Sequence, residues 1–184
     1  MKNLIVVLLI CIVSSSLFSQ TFVQTKHDVK YVGNSKFVPT GTMYAEKDLG
    51  KKFGVSTFSL VTNDWAEILI GAYYRLDTNL TIGIQAGMET TDPYWRFGSS
   101  LSYMKNNNTV MLLVEKGYGD ENYWYSISYQ NTNHKFVWGL MGQRFYGWGP
   151  EIGFQFGKSI ITVAPLYDFE VKQFQPTIFW GWFI

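Results

Sequence analysis

Side-chain character that alternates with a period of two is the feature that most constrains this chain. From Phe53 onward, ten segments of about ten residues or fewer alternate in this way, and clusters of Gly, Asn, Asp, Thr and Pro separate them. In 80–89, Leu, Ile, Ile, Ala and Met fall on one face, and Thr, Gly, Gln, Gly and Glu fall on the other. A helix needs a period of 3.6, which these segments lack. The pattern therefore predicts an all-β chain.

The polar face of these segments distinguishes a membrane barrel from a soluble one. A strand surface in water is normally rich in charged residues, yet this face is mostly Gly, Ser, Thr and Gln. The apolar face carries aromatic rings near strand ends, where they would lie at membrane interfaces. These rings are Trp65, Tyr73, Tyr74, Tyr94, Trp95, Tyr103, Tyr123 and Tyr125. Tilted strands of this length cross an outer membrane, and closure leaves no unpaired edge in lipid. The sequence predicts a closed antiparallel up-and-down transmembrane β-barrel.

The strand count follows from the alternating segments. They are 53–62, 65–75, 80–89, 95–103, 109–118, 122–130, 136–145, 151–157, 159–168 and 174–184. About ten strands are therefore expected, and eight or twelve stay open because 40–46 has the character of a further strand. The barrel would occupy residues 53–184. Residues 21–52 otherwise have the composition of a polar N-terminal leader, placed either in the periplasm or inside the lumen.

Residues 1–20 have the features of a secretory signal peptide. Lys2 supplies the positive start, 4–13 is apolar, and small residues up to Ser19 suit a signal peptidase. The apolar run is shorter than the roughly 20 residues of a membrane-spanning helix. Cys11 is the only cysteine, so the mature chain would have no disulfide and no thiolate nucleophile. A lipoprotein signal at Cys11 is disfavoured by Ile10, where a small residue is expected.

From Phe53 to its end, the chain resembles the small outer-membrane β-barrel proteins of Gram-negative bacteria. In that class the last strand alternates apolar residues and ends in an aromatic one, a signal for the assembly machinery. Here Ile178, Trp180, Trp182 and Ile184 take those positions, with Ile184 in place of the usual Phe. The resemblance implies a location in the outer membrane. It also implies outer-membrane lipid, the barrel assembly machinery and periplasmic chaperones as partners.

Residues suited to catalysis are scarce. The two histidines are His27, in the predicted leader, and His134, in a predicted periplasmic turn. No two-His metal spacing, nucleotide-binding glycine motif or G-x-S-x-G turn is present. We therefore predict no catalytic, cofactor-binding or metal-binding residues and no cofactor. A net charge of +1 without a basic stripe also argues against nucleic acid as a partner.

Charged residues within the predicted strands gather near one end of the barrel, its outer rim. The luminal rim charges are Glu67, Glu89, Arg96 and Glu151 on the polar face, with Glu115 and Arg144 at the same height on strands of ambiguous facing. One interpretation is an internal salt-bridge network that fills a narrow lumen. Another is an acidic vestibule that favours cations at the mouth of a small pore. A catalytic carboxylate pair is the third.

The sequence thus predicts an integral outer-membrane barrel without enzymatic activity. Its role would be structural, or that of a narrow porin-like channel for small solutes or ions. Two other classes stay open. One is a soluble secreted or periplasmic β-barrel that binds a hydrophobic ligand. The other is an outer-membrane hydrolase or acyltransferase.

Overall fold

The computed structural model describes residues 22–32 and 36–183, and these residues form twelve β-strands. The strands are β1 (Phe22–Val32), β2 (Lys36–Asp48), β3 (Phe53–Val61), β4 (Ala66–Arg75), β5 (Leu80–Glu89), β6 (Trp95–Lys105), β7 (Asn108–Gly117), β8 (Tyr123–Asn133), β9 (Phe136–Gln143), β10 (Gly147–Phe156), β11 (Ser159–Asp168) and β12 (Gln173–Phe183). Each strand pairs antiparallel with its neighbours in chain order, and β1 pairs with β12. The sheet therefore closes into an up-and-down barrel. This confirms the predicted fold class, with twelve strands rather than ten.

The two additional strands correct the polar leader predicted for 21–52. β1 pairs with β2 along its whole length, and its residues from Gln24 to Lys30 also pair with β12. Its inward positions include Lys26, Asp28 and Lys30, and His27 faces outward between them. These charged and polar residues hide the apolar alternation, which is why the segment resembles a leader in sequence.

Two predictions fall outside the described residues. These are the signal peptide at 1–20 and the terminal position Ile184 of the assembly strand. Among the residues that are described, no helix is long and apolar enough to cross a membrane.

The two faces of the strands are sorted as the alternation predicts. On β5, Ile84 faces outward and is 71% exposed, while its neighbour Gln85 faces inward and is buried. The outward face is apolar around β4 to β6 and again around β9 to β12. Two rings of the predicted aromatic belt are exceptions. Tyr73 points into the barrel, where its hydroxyl donates to the Asp48 carboxylate, and Trp65 packs against buried inward residues.

The connections between strands are short at both ends of the barrel. One end, called here the loop end, carries the connections 62–65, 90–94, 118–122, 144–146 and 169–172. The opposite end, called the turn end, carries 49–52, 76–79, 106–107, 134–135 and 157–158. None of these described connections is long enough to fold deeply into the lumen as an independent segment. Inward side chains therefore determine what fills it.

Apolar side chains pack inside the barrel in two buried clusters. The Phe58 cluster contains Phe58, Leu60 and Leu69, with Tyr44 and Trp65 packed against it. The Tyr146 cluster contains Met141, Tyr146, Ala164, Leu166 and Phe179. The first lies on β2 to β4 and the second on β9 to β12, so apolar packing occupies two separate sectors of the lumen wall.

Candidate functional site: the lumen of the barrel

Arg96 on β6 is the centre of a buried ion network near the loop end. Its Nε donates to Glu115 Oε2 at 2.8 Å, and one terminal nitrogen, Nη1, donates to Glu89 Oε2 at 2.9 Å. The same terminal nitrogen donates to Asn122 Oδ1 at 2.8 Å. Glu67 Oε2 lies 2.7 Å from Arg96 Nε as an ion pair. The Arg96 side chain is only 2% exposed, so the network is shielded from water.

The register of the hairpins explains why these side chains meet. Glu67 on β4 lies directly opposite Glu89 on β5, at the open end of their hairpin, which is at the loop end of the barrel. Arg96 is paired with Gly87 on one side and with Gly117 on the other. Glycines at both flanking positions leave room for the guanidinium group to spread over its neighbours. The alternation in the sequence predicts the inward direction and the height of Glu67, Glu89 and Arg96, but not the contacts between them.

The charge balance within this network is uneven. Three carboxylates surround one guanidinium group, and Glu115, whose facing is ambiguous in sequence, proves to be one of them. Neither Glu67 oxygen accepts a hydrogen bond from the protein, and Glu115 Oε1 is also without a donor. The Trp65 ring adds a cation–π contact, with its centroid 5.1 Å from the guanidinium carbon. Because the buried negative charges repel one another, Arg96 is the group that makes their proximity tolerable.

Glu151, predicted as an acidic rim residue, lies in the middle of β10 because that strand begins at Gly147, and it is not part of the Arg96 network. It is buried on β10 and accepts hydrogen bonds from Gln130 Nε2, at 2.8 Å, and from the Thr162 hydroxyl. Both partners are neutral, and they lie on β8 and β11. Glu151 is therefore held separately, and the structure does not bring it together with Glu67 and Glu89 as the rim hypothesis supposes.

Arg144 lies in the connection between β9 and β10 and also stands apart from the acidic rim residues. One terminal nitrogen donates to the backbone carbonyls of Glu121 and Tyr123, each at 2.6 Å. The other donates to Glu121 Oε2 at 3.1 Å, and Arg144 Nε is 3.5 Å from Glu170 Oε1. The guanidinium also stacks on the Tyr123 ring at 3.6 Å. Arg144 thus fastens three loop-end connections to one another.

A second polar contact inside the barrel is not predicted from the sequence. The Tyr146 hydroxyl donates to Asp28 Oδ2 at 2.8 Å and lies 2.7 Å from the Thr40 hydroxyl. Lys30 Nζ lies 4.4 Å from the centre of the Tyr146 ring and donates to the Phe145 carbonyl at 2.6 Å. Burial, together with the nearby Asp28 carboxylate, raises the pKa of the Tyr146 phenol, so the phenol keeps its donor proton.

The remaining predicted residues lie outside the lumen. On β12, Ile178, Trp180 and Trp182 are exposed on the outward face, which fits the apolar register of an assembly strand. His27, predicted in a leader, faces outward on β1 beside Trp180, with ring centroids 6.1 Å apart. His134 lies in the turn at 134–135. Among the described residues, no group of three His, Cys, Asp or Glu side chains is arranged to hold a metal ion.

Comparison with known proteins gives a structural likeness only. No protein-family model matches the chain, and no curated protein matches it in sequence. The solved KdgM porin matches 88% of this chain and 98% of its own, at 10% identity and a TM-score of 0.53. The KdgM porin in complex with disordered oligogalacturonate gives the same coverage and identity with a TM-score of 0.54. A structure from work on in-meso crystallization of membrane proteins covers 89% of this chain and 83% of its own, at 8% identity and a TM-score of 0.58. The chain therefore shares the barrel fold of outer-membrane porins.

Proposed function

We propose that this chain is an integral outer-membrane β-barrel that passes small solutes or ions through a narrow, internally braced lumen. The observation that carries the proposal is the sorting of side chains in a closed barrel, with an apolar outward face and with the buried charged strand residues inward, beside two apolar clusters. That arrangement suits a barrel surrounded by lipid and is the reverse of a soluble lipocalin-like barrel. It disfavours the soluble ligand-binding alternative.

The inward charges support a preference for cations. Among inward-facing strand residues with described side chains, the acidic ones are Asp28, Glu46, Asp48, Glu67, Glu89, Glu115, Glu151 and Asp168, and the basic ones are Lys26, Lys30, Arg75 and Arg96. An excess of carboxylates lowers the electrostatic energy of a cation in a narrow passage and raises that of an anion. Oligogalacturonate in the complex described above is a ligand of that porin, and the acidic lumen here favours a different class of solute.

Planar-bilayer recordings of the refolded protein test this function. We expect discrete conductance steps, and under a salt gradient a reversal potential of the sign for cation preference. The preference should be largest at low salt, where the Debye length reaches about 30 Å at 0.01 M. A correctly folded barrel that gives no steps would be a structural barrel with a filled lumen, and the channel proposal would then fail.

We further propose the outer membrane of a Gram-negative bacterium as the location. The barrel assembly machinery and periplasmic chaperones would recognise the last strand through Ile178, Trp180, Trp182 and Ile184. The outward exposure of the first three residues supports this. We propose no catalytic role, since His27 and His134 lie on different elements and Glu67, Glu89 and Glu115 are already engaged around Arg96.

A further inference from the structure

The side chain of Tyr146 lies across the inner face of the barrel. In the sheet, β11 and β12 separate β10 from β1, and β2 follows β1. Tyr146 directly precedes β10, yet its hydroxyl contacts Asp28 on β1 and Thr40 on β2. Leu166 on β11 and Phe179 on β12 belong to the same buried cluster as the Tyr146 ring. The ring therefore covers the two intervening strands from inside the lumen.

The backbone around Tyr146 is held in a conformation that few residues adopt. Phe145 has a φ of 69°, in the left-handed region that is unfavourable for an aromatic residue. Gly147 has a φ of 102°, and a Cβ there would lie 2.3 Å from the Tyr167 carbonyl oxygen. Side-chain contacts keep the connection in place. Lys30 donates to the Phe145 carbonyl, and Arg144 forms ion pairs with Glu121 and Glu170. A strained segment that depends on a few contacts is a candidate moving part.

We propose that the 144–146 connection closes one sector of the loop-end mouth and that Tyr146 holds it closed. This proposal rests on the channel function proposed above. While the Tyr146 hydroxyl binds Asp28 and Thr40, the ring seals the inner surface of β11, where Ala164 and Leu166 have no exposure. When these two hydrogen bonds are lost, the Tyr146 side chain swings away from the inner surface of β11 and widens the passage between β10 and β2.

Conductance of three chains tests the effect on the passage. Tyr146→Phe keeps the ring and removes both hydrogen bonds, so the open fraction should rise by about tenfold. Tyr146→Ala also removes the ring and should raise the single-channel conductance itself. Tyr118→Ala is the matched control, because Tyr118 is an exposed tyrosine in the 118–122 connection, and it should behave like the unmodified protein.

Accessibility of position 164 tests the closure without relying on conduction. Cys11 is the only cysteine of the sequence, so Ala164→Cys in a chain expressed without residues 1–20 carries a single thiol. In lipid vesicles, a water-soluble maleimide should label this thiol slowly. Adding Tyr146→Phe, which keeps the ring and removes both hydrogen bonds, should accelerate labelling by about tenfold, whereas adding Tyr118→Ala should not.

Together, the two measurements distinguish failure of the proposed closure from failure of the proposed channel function. If labelling is equally slow in every background, the closure proposal is wrong, whatever the conductance. If the unmodified protein conducts and the Tyr146 variants match it in both conductance and labelling, the closure is wrong while the channel function stands. If no chain conducts but Tyr146→Phe exposes the thiol, the closure stands and the channel function fails.

Discussion

Arg96 is one positive charge within reach of three buried carboxylates, and this imbalance sets what its removal would cost. A buried ion network adds little net stability when it is complete, because desolvation of the charges offsets their attraction. A network that has lost one partner lowers stability strongly, because the remaining buried charges have neither water nor an ion-pair partner. Glu67 accepts the fewest hydrogen bonds of the three, since neither of its oxygens has a donor in the protein and its contact with Arg96 is an ion pair.

Replacing Arg96 should therefore be among the most damaging single changes inside the barrel. Arg96→Met should lower the free energy of unfolding by about 3 to 5 kcal/mol, measured by urea titration in lipid vesicles. Arg75→Met is the control, because its partner Asp48 is 59% exposed and the expected loss is about 1 kcal/mol or less. Adding Glu67→Gln to Arg96→Met should restore part of the loss. Equal losses for Arg96→Met and Arg75→Met would show that the network is not buried as described.

The alternation within one strand produces two faces that differ in how well they tolerate a charged side chain. The outward surface of β5 meets lipid, so a charge there has no solvation. Some inward positions, by contrast, remain accessible within the lumen, as at Met111 on β7, which is 43% exposed. Gln85 does not share this tolerance, because it is buried and its amide donates to the Ser56 hydroxyl at 2.9 Å.

An arginine should therefore be costly on the outward face and tolerated at an open inward position. Ile84→Arg should reduce barrel stability by about 2 to 4 kcal/mol, the range for a cationic side chain near the bilayer midplane. Met111→Arg should cost much less, as its guanidinium reaches water inside the barrel. Unfolding in the same vesicles compares the two variants, and the opposite order would mean that the faces are inverted.

Most strands of the barrel can be predicted from the sequence, but some contacts between them cannot. The ten strands from Phe53 onward are found because their outward residues are apolar and their turns are short. β1 is missed because its mid-strand residues, Lys26 to Lys30, are mostly charged or polar, and alternation is then invisible without the pairing partner. The Arg96 network is partly predictable, because alternation and hairpin register determine which face of its strand each charged residue lies on and how near it is to the loop end. The Tyr146 contacts are not predictable, because they join strands that the sequence does not show to be adjacent.

For the whole molecule, closure depends on β12, which pairs with β11 on one edge and with β1 on the other. A barrel that lacks this strand leaves two rows of unpaired backbone groups in lipid, which is strongly unfavourable. Without β12 the two free edges are β11 and β1, which run in the same direction and cannot form the antiparallel pairing found elsewhere in the barrel. Assembly should therefore be all or none with respect to β12.

Deletion of Thr177 to Ile184 should abolish assembly. The truncated chain should stay out of the outer-membrane fraction, be digested when protease is added after cell lysis, and lose the heat-dependent shift in gel mobility that folded barrels show. Ile184→Phe is the control at the same end of the chain and should assemble at least as well as the unmodified protein. A truncated chain that reaches the membrane and resists protease would contradict the requirement for closure.

The short connections have a consequence for how the barrel would meet other cells, viruses and antibodies. Since none of the described loop-end connections exceeds a few residues, these connections would add little protein beyond the ends of the strands. A phage tail or an antibody would have to recognise a few tight tips rather than a folded ectodomain. The 118–122 connection is one of them, where Tyr118 is exposed and Gly119 has open space around its backbone. A peptide inserted there would therefore be displayed on an otherwise low-profile surface.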